Sequence, residues 1–346
     1  MFRFMLMAAS LASVAAGSCA FAASRGVQVV ADEAHRRVDV TIDGKPFTAY
    51  IWPQTLKKPV LYPLITDEGI RVTRGYPLQP ETGERTDHPH QVGLWFDYGN
   101  VNGFDFWNNS DAIKPENVGK MGTILQEKIL SAKSGSDRGE LSVTSRWMTG
   151  ADEPVLDQVT RYVFAQRDRT RSIDVTITLK ALERVVFNDD KEGLFGMRVS
   201  RWLESPDEKG GEFLDASGRP TQVAPASAGA TGVYLTSDGA TAASAWGTRG
   251  RWCVLTGHTG AHTASIAIID SPRNPDYPTY WHARGYGLFA ANPLGKSIFD
   301  PRQPPLNLTI EKGGEVTFRY RVLISSEELS QQVLDREADS FAHSGK

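Results

Sequence analysis

The feature that most constrains this chain is a side-chain alternation of period two that recurs from one end to the other. Ile173, Val175, Ile177 and Leu179 are separated by Asp174, Thr176 and Thr178. A strand points successive side chains to opposite faces, so this pattern predicts a sheet with one apolar face. Val38, Val40 and Ile42 alternate likewise, reach Asp43-Gly44, and are followed by a return run from Pro46 to Trp52. Alternation around an Asp-Gly pair predicts a tight β-hairpin. A second hairpin is predicted where Leu306, Leu308 and Ile310 precede Lys312-Gly313-Gly314 and Val316, Phe318, Tyr320, Val322 and Ile324 follow. Less regular strands are expected at 60–65, 94–98, 123–131, 139–148, 156–164, 194–203, 252–256 and 264–269. The expected fold is all-β, a large antiparallel β-sandwich.

Helix is expected only in the tail, over 326–342. Leu329, Val333, Leu334 and Phe341 form its apolar stripe, and Ser325 with Glu328 reads as a capping box. From Ser205 to Gly250, Gly, Ala, Ser and Thr with Pro206, Pro220 and Pro225 break the strand rhythm. So long an irregular stretch predicts loops over a binding face, with plain surface loops as the alternative. No shift in composition divides the remainder, so 27–343 is read as one domain that includes the helix.

Residues 1–22 read as a signal peptide: Arg3, an apolar run from Phe4 to Ala16, and the small-residue site Ala20-Phe21-Ala22. Periplasmic or secreted localisation follows, with a lipid anchor at Cys19 as the alternative. A membrane span needs about 20 apolar residues, and no window reaches that length. Once Cys19 is removed, Cys253 is the remaining thiol, so no intramolecular disulfide can form. Its apolar surroundings, Trp252-Cys253-Val254-Leu255, make it a buried hydrophobe. A formal net charge of −3 without a basic run argues against nucleic acid as partner. The chain has no Walker loop, dinucleotide fingerprint, His-Glu-x-x-His or Gly-x-Ser-x-Gly, so no nucleotide cofactor is expected.

Chemistry-bearing residues gather in three clusters. The first runs from Asp87-His88-Pro89-His90 to Phe106-Trp107-Asn108. Pro89 is expected to extend the backbone at His88, which would point His88 and His90 to one side. Such a pair serves as metal ligands, as the wall of a polar pocket, or as satisfied structural histidines. The second is Asn188 to Arg198, where Glu192 opens an apolar strand and Arg198 shares its face. A carboxylate desolvated by apolar walls can act as a base near neutral pH, and a structural ion pair is the plainer reading. The third runs from Pro272 through Tyr280-Trp281-His282-Ala283-Arg284 to Asn292. Trp107 and Trp281 would offer stacking faces, and Asn108, Arg198, Arg284 and Asn292 would hydrogen-bond a polar substrate.

At these clusters the sequence resembles a family of secreted bacterial proteins often labelled methane oxygenase PmoA. The matching pieces are DHPHQVGLWFDYGNVNGFDFW, KEGLFGMRV and SPRNPDYPTYWHARGYGLFAANPLG, with the closing TFRYRVL. The resemblance implies a fold similar to the galactose-mutarotase-like β-supersandwich, a scaffold shared by sugar epimerases, polysaccharide lyases and glycosidase domains. In mutarotases a histidine acid and a glutamate base act on the ring oxygen and the anomeric hydroxyl. The matching residue types here are His88, His90 or His282 with Glu192.

The leading expectation is an exported carbohydrate-active enzyme using acid-base chemistry, with a sugar or other small polar molecule as substrate and no cofactor. Elimination from a uronic acid would use the same parts, with Arg198 or Arg284 neutralising the carboxylate. Hydrolysis would pair Glu192 with Asp87, Asp97 or Asp105. The alternatives are a non-catalytic sugar-binding module and a metal-dependent enzyme built on His88 and His90. All three clusters are expected to meet in one concave site, since such groups are costly to bury singly.

Overall fold

The computed structural model describes residues 25–206, 210–224 and 229–344, so the expected signal peptide and Cys19 lie outside the described residues. Two eight-stranded antiparallel sheets dominate. The first runs, edge to edge, Val27–Asp32, Arg37–Ile42, Lys45–Ile51, Val60–Leu61, Leu94–Tyr98, Gly193–Arg198, Leu288–Asn292 and Tyr280–Ala283. The second runs Val233–Thr236, Trp252–Thr259, His262–Asp270, Glu315–Ser325, Thr170–Ala181, Pro154–Arg167, Arg138–Met148 and Thr123–Lys133. Among the described residues no helix is long and apolar enough to cross a membrane.

Alternation explains the layering. Ile173, Val175, Ile177 and Leu179 of the second sheet meet Leu94, Phe96, Phe195, Met197 and Phe289 of the first in one buried core. The Asp43-Gly44 hairpin forms as expected, both turn residues taking positive φ (49° and 76°). The second expected hairpin does not form. Leu308–Ile310 pairs with Val185–Phe187, while Glu315–Ser325 lies between Thr170–Ala181 and His262–Asp270. The reason is local: Gly313 N donates to Ala181 O and Ala181 N donates to Gly314 O, so the glycines belong to a neighbouring strand.

The tail helix spans Gln331–His343 and its N-cap is Ser330, whose hydroxyl accepts from Val333 N. Ser325, the expected cap, is still in strand, paired with Thr170 and Ser265. Leu334, Ala338 and Phe341 pack on Trp252, Val254 and Leu323. The stretch from 205 to 250 is more ordered than its composition predicts. It holds the hairpin Gly211–Leu214 with Pro220–Val223 and the edge strand Val233–Thr236.

The helix is fastened by Asp335, which accepts from the buried Trp252 indole N–H (2.9 Å) and from Arg251 (2.7 Å). Asp335→Ala should cost about 1–3 kcal/mol in urea unfolding, because the indole N–H is left buried without an acceptor. Asp339→Ala, which removes only an exposed Arg251 pair, should cost about 0–1 kcal/mol. Equal losses would show that the indole bond contributes nothing.

Candidate functional site

The face of the first sheet turned away from the core carries the polar groups. Pairing sets His282 opposite Ala290, Ala290 opposite Gly196, and Gly196 opposite Trp95. Directly opposed residues share a face, so this row is a floor of two small residues between an imidazole and an indole. In the next row Arg198 stands opposite Leu288, and Arg284 N donates to Leu288 O across the adjoining turn. Gly196 is required here. A Cβ at that position would lie 2.9 Å from the Trp95 ring and 3.1 Å from the Trp107 ring. Without it, the two indoles pack edge to face 5.2 Å apart.

The segment 85–91 folds over this floor around Arg74. Its buried guanidinium donates to the carbonyls of Arg85 (3.2 Å), Asp87 (2.8 Å), His88 (2.9 Å) and Gln91 (3.1 Å) and to Asp87 Oδ1 (2.9 Å). Arg198 donates to Asp87 Oδ1 and Gln91 Oε1, both at 2.6 Å. The expected extended backbone at His88 is therefore replaced by a turn. His88 takes φ 47°, and Gln91 N donates to His88 O (3.0 Å). Carbonyls captured by two buried guanidiniums outweigh the local preference that Pro89 imposes.

His88 remains half exposed, stacked on the Tyr286 ring (5.1 Å, 3°) and edge-on to His90 (5.6 Å, 81°). Asp87 Oδ2 lies 2.9 Å from His88 Nδ1, close enough to pair with an imidazolium but out of line for a hydrogen bond. Burial raises the Asp87 carboxyl, but His88, Arg198 and Arg74 outweigh it and hold it well below the usual carboxylate range. Arg198 also sits 4.8 Å over the Tyr286 ring. The Tyr286 phenol is raised, first by burial, and feels the charges of Arg198, Arg284, Glu192 and Asp87. All three sequence clusters thus converge around Tyr286.

Beneath this rim lie two neutral histidines. Burial, reinforced by Lys58, lowers His90 to about 2, and burial with Arg284 lowers His282 to about 3. Among the described residues Nε2 of His90 is buried with no hydrogen-bond partner, and both ring nitrogens of His282 are buried, with the Lys191 backbone close enough to favour its protonated form. A cavity of about 10 Å³ touches His90, Lys58 and Asn109. That is room for about one water molecule, which would satisfy Nε2. Lys58 pairs with the fully buried Asp97 and donates to Trp107 O (3.2 Å). Burial pushes Asp97 up to about 7 against the pull of Lys58.

Of the other expected site residues, Glu192 is partly exposed and pairs with Lys191. The Arg284 guanidinium lies 5.1 Å over the Trp246 ring, which brings the 205–250 stretch to the site. Trp107, Trp281, Arg198 and Asn292 are fully buried, so they build the site and do not face a ligand. Trp281 points into the core between the sheets, on the side opposite His282. Asn292 donates to the carbonyls of Asp190 and Lys191 and so holds the Glu192 turn, while Asn108 is taken up by Asp105. Among the described residues no three His, Cys, Asp or Glu side chains converge as metal ligands. Lys58, Arg74, Gln91, Tyr286 and Trp246 were not foreseen. Tyr286 could have been, since it follows the His282-Ala283-Arg284 run within the same hairpin.

The chain belongs to the DUF6807 family, a family of unknown function, whose match spans residues 37–339. No curated protein matches it in sequence. Among solved structures it is similar to a galactose 1-epimerase from Lactobacillus acidophilus (11% identity, 88% of this chain, 100% of that chain, TM-score 0.39). It is also similar to the galactosidase domain of the alpha-galactosidase-sucrose kinase AgaSK (9%, 88% and 42%, TM-score 0.41). A third likeness is to a putative aldose 1-epimerase from Escherichia coli K12 (10%, 87% and 99%, TM-score 0.35).

Gly196→Ala should destabilise the chain by about 1–3 kcal/mol, because its methyl would displace packed indoles. A blunted change in tryptophan fluorescence on unfolding should accompany the loss, and an unperturbed variant would contradict the packing described.

The buried histidines also set a pH signature. The unfolded chain protonates them near pH 6.5, whereas the folded chain does so only near 2 to 3. Below pH 6.5 the unfolded state binds more protons, so this contribution is full above that pH and is lost as pH falls. Asp97 and Asp270, raised by burial to about 7, run the other way and lose stability as pH rises from about 4 to 7. Between pH 7.5 and 5.0, His282→Asn should therefore lose less stability than the natural chain, by about 2 kcal/mol. Identical pH profiles would show that His282 is not held neutral.

Proposed function

We propose that this chain is an exported carbohydrate-active enzyme that performs acid-base chemistry on a sugar at the Tyr286 site. The observation that carries the reading is a partly exposed His88 and Glu192 around one phenol, above two buried, neutral imidazoles. In this reading Glu192 accepts a proton, His88 donates one, and Asp87, kept ionised, steadies the imidazolium. His90 and His282, buried beneath the rim, back these groups without meeting the substrate. Epimerisation, mutarotation and elimination each need only such a donor and acceptor, without a cofactor.

Purified protein offered a panel of mono- and oligosaccharides should turn over at least one of them, followed by NMR of anomeric and alkene protons. Glu192→Gln should then lower kcat by about 10²–10⁴-fold with affinity retained. Turnover unchanged in Glu192→Gln and in His88→Gln would refute the assignment, and the absence of both binding and turnover would refute the sugar reading.

A further inference from the structure

We infer that the sugar recognised at this site carries an oxyanion, and that Arg284 receives it. The inference rests on the sugar reading above and adds the charge of the substrate. Every other cation around Tyr286 has its anion in place. Lys58 holds Asp97, Lys191 holds Glu192, and Arg74 and Arg198 share Asp87. Arg198 is in addition fully buried and committed to Gln91, so of the two arginines at the site it is not the one that meets a ligand.

Arg284 has no carboxylate partner among the described residues, and its Nε is buried without a hydrogen-bond acceptor. Its guanidinium lies on the Trp246 indole, whose own Nε1 is likewise buried and unpartnered. A guanidinium resting on a ring keeps its in-plane N–H donors for a planar or tetrahedral oxyanion, and the ring fixes its direction. His282 stands two residues earlier on the same side of the chain, fully buried and within reach of the Arg284 charge. Arg74 and Arg198 share Asp87 and also feel the buried Glu204, whereas Arg284 has no paired carboxylate among the described residues. A carboxylate on the sugar ring, as in a uronic acid, or a sulfate ester would supply a counter-charge.

The test is calorimetric titration of the full chain with galacturonate, glucuronate, galactose, glucose and galactose 6-sulfate. At least one acidic sugar should bind about tenfold or more tightly than its neutral counterpart, the worth of one charge-assisted hydrogen bond. Arg284→Met should bring the ratio of acidic to neutral affinity close to one, and Arg284→Lys should keep part of it. Unliganded melting temperatures of the two variants separate a binding effect from a folding one, because Arg284→Lys retains charge and stem. Preference for the uronates identifies a carboxylate, and preference for the sulfate ester identifies a sulfate. Equal affinity for neutral and acidic sugars, or a preference that survives Arg284→Met, overturns the inference while leaving the sugar reading intact. If no sugar binds at all, both fall together.

Discussion

The buried guanidinium of Arg74 is the constraint on which the rest of the site depends. A cation taken out of water loses several kcal/mol of hydration unless close acceptors replace it. Arg74 recovers this from four backbone carbonyls and one carboxylate oxygen, all drawn from 85–91. Burial lowers its pKa only to about 9, so it is still charged at neutral pH. The same bonds decide the shape of the loop. They turn the chain at His88, place the Asp87 carboxylate between Arg74 and Arg198, and leave the His88 ring against Tyr286. The hairpin 211–223 backs the arrangement, since Gly83 N donates to Leu214 O and Leu214 N donates to Glu84 O.

Legibility in the sequence divides along physical lines. Strands whose side chains alternate between core and solvent, such as Thr170–Ala181 with its buried Ile173, Val175, Ile177 and Leu179, are written in local order and were foreseen. The strands of the site are buried on both faces. Gly193–Arg198 and Leu288–Asn292 contain no exposed residue, so their apolar runs mark a strand without saying which face holds the chemistry. Tryptophans at such positions read equally as ligand platforms or as core, and burial assigns Trp107 and Trp281 to packing. Non-local bonds were illegible for a different reason. Nothing near Gly313-Gly314 announces that Ala181 will bind it, and nothing near Pro89 announces Arg74.

The small residues of the floor connect packing to chemistry. Ala290 and Gly196 form a buried row across the central strands, with His282 on one side and the Trp95–Trp107 pair on the other. A side chain larger than glycine at 196 would collide with the Trp95 and Trp107 rings, so the small residues are a packing requirement of this row. Most hydrophobic burial lies on the core face, and on the opposite face a smaller apolar cluster around Trp95, Trp107, Leu288 and Ala290 packs beside the polar groups.

Burial then divides those polar groups into two sorts. Single titratable groups yield their charge: His90 and His282 stay neutral at pH values where a solvated histidine would protonate, and Asp97 rises toward neutrality even beside Lys58. Grouped charges keep theirs, because Asp87 between two guanidiniums is held ionised although it is largely desolvated. The site thus presents a fixed carboxylate, fixed guanidiniums and neutral imidazoles within one neighbourhood. The fixed charges hold one another in place, and the neutral imidazoles add hydrogen-bonding groups without adding net charge. Arg284 departs from this pattern as a charged group without a counter-charge, held in place by a ring. A folded chain sustains that arrangement only while the guanidinium keeps some contact with water or with an anion from outside. The partly exposed turn on which Arg284 stands gives it that contact.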